Sequence, residues 1–215
     1  MNQLDLIILV AYTIIVILVL QRAIHSVDNR MNILLNKDVL QQSLEERRLA
    51  GKLDIAFKPP SDGYPIESPP QELSLAITNS SERPIYVDWD RSSFTAFDWD
   101  KKASRYREGR ARRIVRFSPY KGLESVTRQV LSPIPPNSTL KEDITAEDTL
   151  VRDGDGLKLD SSLFKIEKLD EGESLDFWLY LVVYLQETET EDDRTCVLPC
   201  KFTVLRRPWV DSLPF

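Results

Sequence analysis

Beyond Gly51 the chain is written in short segments whose apolar residues fall at every second position, and this period of two constrains the fold more than any other feature. Leu73, Leu75 and Ile77 alternate with polar residues in ELSLAIT, as do Ile85, Val87 and Trp89 in PIYVDW, and Phe164 and Ile166 in SLFKIEK. Successive side chains of a strand point to opposite faces, so each stretch is expected to be a half-buried strand. Residues 53–57, 113–117, 126–131, 140–144, 175–186 and 195–205 are further strand candidates. Proline- and glycine-marked turns separate them, which gives roughly eight or nine strands in all. No strand–helix–strand alternation is present, so a parallel nucleotide-binding sheet is excluded as the reading. The expected fold is mainly β, an antiparallel immunoglobulin- or fibronectin-like β-sandwich over residues 51–215.

The segment SLDFWLYLVVYLQ is the longest of these strands. Leu175 to Leu185 carries one charge, Asp176, and is too short to cross a bilayer. One face is Leu175, Phe177, Leu179, Leu181, Val183 and Leu185, a core face. The other is Trp178, Tyr180, Val182 and Tyr184, too apolar for open solvent, so a cover is expected over Trp178, Tyr180 and Tyr184. A loop or helix of the same chain is favoured over a partner protein as that cover.

Upstream of Gly51 the composition changes. Residues 6–20, LIILVAYTIIVILVL, carry no charge. They make about 22 Å of helix against a hydrocarbon core of about 30 Å, so residues 4–24 are needed for a full span. With no basic start and no small-residue cleavage motif, the segment is expected to be an uncleaved signal anchor over residues 1–24 in contact with the lipid bilayer. Arg22, Arg30 and Lys37 all follow it, which predicts a single-pass membrane protein with its N-terminus outside and its β-domain cytoplasmic. Residues 25–50 are rich in helix formers and are expected to continue as a helical stalk. Ile24, Val27, Met31 and Leu34 begin a coiled-coil seam that Asp38 and Gln41 interrupt, leaving homo-oligomerisation through the stalk as one expectation and a helix lying on its own domain as the other.

Signatures of catalysis are few. The one histidine, His25, lies outside the β-domain, so Ser-His-Asp and Cys-His arrangements have no base there. Phosphate-binding glycine motifs and the Gly-x-Ser-x-Gly elbow are missing from the sequence. Cys196 and Cys200 share strand parity about 13 Å apart, beyond disulfide reach, and are expected as buried core thiols. Residues 152–160, RDGDGLKLD, lack the closing glutamate of a calcium loop and are expected to turn between strands, while residues 186–194, QETETEDDR, suit a solvated hairpin tip. The doublet in IYVDWDRSSFTAFDWD sets Asp88 and Asp90 around Trp89, with a second Asp-Trp-Asp about Trp99. Parity puts Trp89 in the core, makes the carboxylates solvated, and favours a kink near residues 91–93 over a metal cage. No enzyme, no catalytic residue, no cofactor and no metal ligand is expected.

The strongest functional signal is basic. Lys101, Lys102, Arg105, Arg107, Arg110, Arg112, Arg113 and Arg116 occur in sixteen residues with a single acid, Glu108, in a chain of net charge -6. Such a run is either a solvated hairpin turning at Glu108-Gly109 or a dock for an acidic protein or anionic headgroups. Only Tyr106 interleaves it and the domain is acidic, so no nucleic acid is expected as partner.

The stretches LAITNSSERPIYVDWDRSSF and SPIPPNSTL resemble those of uncharacterised, cyanobacterial-type, membrane-anchored proteins with an Ig-like β-sandwich domain. That resemblance implies a sandwich and brings no catalytic residues. The function expected is a membrane-anchored protein-interaction domain, an accessory, assembly or structural subunit of a membrane protein complex that docks through the basic loop. The alternative is a membrane-bound hydrolase or a carbohydrate- or metal-binding module using Asp88, Asp90, Trp89 and Trp99.

Overall fold

The computed structural model describes residues 3–28, 30–116, 129, 131–154, 156–166, 168–170, 172–185 and 194–206. The strand reading of residues 126–131 and the acidic tip at 186–193 therefore lie almost wholly outside the described residues.

Alternation does produce strands. Residues Leu53–Phe57 form β2, Leu73–Asn79 form β4, Ser138–Ala146 form β8, Ser174–Leu185 form β11 and Arg194–Arg206 form β12. Strand β5 is Ile85–Asp100, β6 is Arg105–Arg116 and β7 is Ser132–Ile134. With β1 (Arg30–Leu35) and β3 (Tyr64–Pro65) they join one antiparallel sheet ordered β2-β4-β8-β6-β5-β11-β12-β1-β3, β7 lying against β5. Strands β9 (Leu150–Asp153) and β10 (Gly156–Leu159) form a separate hairpin. The expected sandwich of two immunoglobulin-type sheets is thus corrected to one ten-stranded sheet bent over a single core.

The bend brings the two ends of the sheet together. Phe57 of β2 meets Phe202 of β12 edge-on at 5.5 Å, although five strands separate them along the sheet order. From Phe202 a spine of rings continues through Phe177 (4.9 Å), Phe164 (4.7 Å) and Phe97 (5.6 Å) to Tyr106 (5.6 Å) at the β5–β6 tip. Each ring pair contributes about 0.5–1.5 kcal/mol beyond its buried area, so the spine fastens the tip to the core.

The helical stalk expected over residues 25–50 is corrected. Met31 and Ile33 are fully buried because β1 pairs with β12 from Met31 opposite Arg206 to Leu35 opposite Phe202. Sheet pairing outweighs the helix propensity of this stretch, which is a few tenths of a kcal/mol per residue. The coiled-coil seam goes with it, since Met31 faces the core of its own domain. Gly63 lets β3 close on β1: its φ is +72°, and a Cβ there would lie 2.6 Å from the Met31 carbonyl oxygen.

Helix α2, Lys37–Glu46, follows at once. Asn36 caps it, accepting from the Val39 N–H at 3.1 Å, while the Asn36 N–H donates to the Lys201 carbonyl of β12 at 2.8 Å. Leu40 and Leu44 turn into the core beside Ile33, Ile55 and Phe57 and plug the opening between β1 and β2. Burial of each leucine is worth about 1.5–3 kcal/mol.

The transmembrane anchor is also corrected. Helix α1 spans Gln3–Asp28, and the side chains of Leu6 to Leu20 project outward around it. Among the described residues, however, no helix is long and apolar enough to cross a membrane. The uncharged run from Leu6 to Leu20 rises only about 22 Å, short of a bilayer core of about 30 Å. The single-pass topology, with the N-terminus outside and the β-domain cytoplasmic, rested on that span and is withdrawn with it.

The two stretches that carried the sequence resemblance meet in space. Asn79, fully buried at the end of β4, donates to the carbonyls of Arg83 (2.7 Å), Ile134 (2.9 Å) and Pro135 (3.2 Å). One amide thereby fixes both the Asn79–Arg83 turn and the start of the Pro135–Ser138 turn, where Asn137 has φ +53°.

Candidate functional site: a basic groove at the β5–β6 tip

The basic run splits into two parts with different work. Arg112, Arg113 and Arg116 are structural. Arg112 donates from Nε to Asp148 Oδ1 at 2.8 Å and from Nη1 to the Leu163 carbonyl at 2.7 Å, with its guanidinium 5.0 Å from the centre of the Phe94 ring. Arg113 bonds Asp90 at 2.6 Å and Glu147 at 3.2 Å. Arg116 reaches Ser132 Oγ at 2.8 Å and Glu142 at 3.4 Å and lies over the Trp89 ring.

Lys101, Lys102, Arg105, Arg107 and Arg110 are exposed. The hairpin does not turn at Glu108-Gly109 as expected but at residues 101–104. Asp100 organises that turn, accepting from the backbone N–H of Lys102 at 2.9 Å and Ala103 at 3.3 Å, and Ser104 adopts φ +49°. Those two backbone N–H groups, helped by Arg107 and Arg105, hold the Asp100 carboxyl below the usual aspartate range. Glu108 and Gly109 instead lie within β6, at a bulge. Thr95 pairs with Ala111 and Phe97 with Glu108, so Gly109 and Arg110 together oppose Ala96. On one side of the bulge Arg107 lies opposite Asp98, and on the other Arg112 lies opposite Phe94.

Sequence reading missed the other wall. Residues 161–166 and 168 form no strand, although Leu163, Phe164 and Ile166 are buried and Lys165 is exposed. Phe164 and Ile166 on either side of exposed Lys165 mimicked a strand, but Leu163 is buried beside Phe164 as well. Leu163 N–H bonds the Pro70 carbonyl at 2.9 Å, Phe164 enters the ring spine, and the Lys168 N–H bonds Tyr106 Oη at 3.1 Å. This loop brings Lys165 and Lys168 against the β5–β6 tip.

Between the loop and β6 lies a groove of about 630 Å³. Its floor is aromatic, with Phe97, Trp99 and Tyr106, the last two edge-to-face at 4.9 Å. Its cations are Lys101, Arg107, Arg110, Arg112, Lys165 and Lys168, and its carboxylates are Asp98 and Asp148. Asp148 is bound to Arg112, so among the described residues the remaining five cations face one free carboxylate. The Lys168 ammonium sits 4.7 Å over the Trp99 ring. Low-dielectric walls and one sign of charge focus a positive potential here, opposite to that of the chain as a whole.

The first Asp-Trp-Asp triplet serves the fold, while Asp98 and Trp99 of the second line the groove. Trp89 is fully buried and donates from Nε1 to Ser132 Oγ at 2.9 Å. Its flanking carboxylates are not solvated as expected. Asp88 is 8% exposed and accepts from Tyr184 Oη at 3.1 Å and the Arg91 N–H at 3.1 Å. Burial pushes the Asp90 carboxyl up, but the Arg113 hydrogen bond, the Gln129 N–H and the Arg113 charge outweigh it and hold it low. Val182 pairs with Asp88 and Tyr180 with Ser93, so at the expected kink β5 bulges between Asp88 and Ser93, with Asp90 inside the bulge. Among the described residues no group of three His, Cys, Asp or Glu is placed to hold a metal ion.

That kink supplies part of the cover sought for the outer face of β11. Arg91 donates to Tyr184 Oη at 2.7 Å, and Ser92 Oγ accepts from the Val182 N–H at 2.9 Å. Trp178 and Tyr180, stacked at 6.2 Å, remain half-buried. Cys196 and Cys200 are free buried thiols on the core face of β12, and burial pushes the Cys200 thiol up to about 12.

No family model matches the chain, and no curated protein is similar to it in sequence. Among solved structures it is similar to the chaperone–tip adhesion subunit pre-assembly complex of archaic chaperone-usher Csu pili from Acinetobacter baumannii, with 10% identity and a TM-score of 0.26 over 68% of this chain. The match takes in 54% of that structure's chain, about half its length. A likeness of that grade carries no argument about fold or function.

Proposed function

We propose that the chain is a protein-interaction domain that docks an acidic partner protein through the basic groove, serving as an accessory or assembly subunit of a larger complex and not as an enzyme. One observation carries the reading. Two stretches more than fifty residues apart in sequence deliver exposed cations to one groove with an aromatic floor, while the neighbouring arginines are neutralised by fold contacts. Five cations gathered about one carboxylate, Asp98, repel one another, and an acidic ligand relieves that repulsion.

Aromatic rings at the floor give such a ligand apolar contact, and the cations give it steering and register. The test is affinity purification of the chain at low salt, beside a variant with Lys101, Lys102, Arg105 and Arg107 changed to glutamate. Co-purifying proteins should be lost from the variant and kept by a control carrying Lys141→Glu on exposed β8. Unchanged co-purification with the fourfold variant overturns the reading.

A further inference from the structure

Strand β6 offers the groove more than charge. It pairs with β5 between Arg105 and Arg113 but with β8 only at Ile114, Val115 and Arg116. Among the described residues, the other edge of the backbone from Arg107 to Arg112 pairs with no strand, and this edge borders the groove. In an antiparallel pair alternate residues turn their N–H and C=O groups away from the neighbour. An open edge of this kind is a template for another strand, and proteins blunt such edges or use them.

The edge is about 20 Å long at roughly 3.3 Å per residue, the length of an ordinary strand. Its hairpin is anchored to the core by the ring spine through Phe97 and Tyr106. Across the groove, Lys165 and Lys168 stand opposite it on the 161–168 loop. Arg112, clamped to Asp148 and the Leu163 carbonyl, joins β6 to that loop at one end.

We propose that the groove binds an extended acidic segment of a partner protein by strand addition to the Arg107–Arg112 edge of β6. The inference rests on the acidic-docking reading above and adds how the ligand is held. Peptide backbone satisfies the edge groups, and acidic side chains at every second position meet Arg110, Lys165 and Lys168. A polysaccharide or nucleic acid would satisfy the cations but leave the strand edge without its ladder, which is why a peptide is favoured.

The experiment uses the full chain and synthetic eight-residue peptides alternating glutamate with valine. Three forms are compared: unmodified, N-methylated at the odd residues, and N-methylated at the even residues. N-methylation leaves the charge intact and removes alternate backbone donors. Binding is followed by calorimetry and by backbone amide exchange. Strand addition requires that one methylated form lose binding by about tenfold or more while the other keeps it, since only one set of amides faces β6. Alternate amides between Arg107 and Arg112 should exchange at least about fivefold more slowly in the complex. If all three peptides bind alike and no amide slows, strand addition is overturned while acidic docking stands. If none binds, or if a heparin oligosaccharide binds far more tightly with no amide slowed, the docking reading falls as well.

Discussion

Replacing Gly109 with alanine tests whether the β6 bulge is the device that shapes the groove. At an ordinary strand position the change should stabilise the protein by about 0.5–1 kcal/mol, because alanine has less backbone freedom to lose. At Gly109 the added methyl would lie 2.9 Å from the Ala96 carbonyl oxygen and 3.3 Å from its carbon. Those are backbone atoms of the adjoining strand and cannot rotate away. Overpacking of this kind costs about 1–3 kcal/mol, so the net expectation is a loss of about 0.5–2 kcal/mol. With a urea dependence of about 3 kcal/mol per molar, the unfolding midpoint should fall by about 0.2–0.7 M. Tryptophan fluorescence reports the transition, and amide exchange should quicken at Phe97–Trp99 and Tyr106–Ala111 before it does in β11. A midpoint equal to or above that of the parent would refute the bulge as described, because the sign of the change is what separates a close approach from open space.

Further outcomes follow from the buried network. Asp90→Asn should lower stability by about 1.5–3 kcal/mol at neutral pH, since the Asp90 and Arg113 side chains are only 30% and 28% exposed and share a charged hydrogen bond. The Asp90 carboxyl is held below its unfolded value of about 3.9, so its contribution is fully present above that pH and is lost as pH falls through the lower folded value. Urea midpoints of parent and variant should therefore converge in acid below about pH 4, and a gap that persists unchanged there would count against the assignment. Iodoacetamide at pH 8.5 should leave Cys200 unmodified in the folded protein and label it in urea, and rapid labelling of the native state would contradict its burial. Leu44→Ala in α2 should cost about 2–5 kcal/mol in a urea titration, and a cost near zero would mean that α2 does not plug the core.

What the sequence carried and what it could not are separable residue by residue. Period-two alternation located β2, β4 and β11 to within a residue or so, because the two faces of those strands meet different solvents and the pattern is local. The same logic put Trp89 and both cysteines in the core, and the kink of β5 followed from the poor turn residues around Phe94. The basic run was visible as charge, and so was the need to cover part of β11.

Tertiary structure decided the rest. Helix propensity at residues 30–35 is a local preference of tenths of a kcal/mol, and pairing of β1 with β12 over a buried Met31 and Ile33 overrides it. The extent of the apolar run at the N-terminus was plain in sequence, yet among the described residues no helix reaches the length and apolarity of a membrane span. Which arginines hold the fold and which are left exposed depends on Asp90, Glu142, Glu147 and Asp148, acids far away in sequence. Lys165 and Lys168 enter the groove only because Phe164 is drawn into the ring spine. The amino-acid order by itself determined a β-rich chain with a cationic stretch; long-range pairing alone converted that stretch into a groove, since charges separated along the chain share a site only when packing brings them within reach of one another.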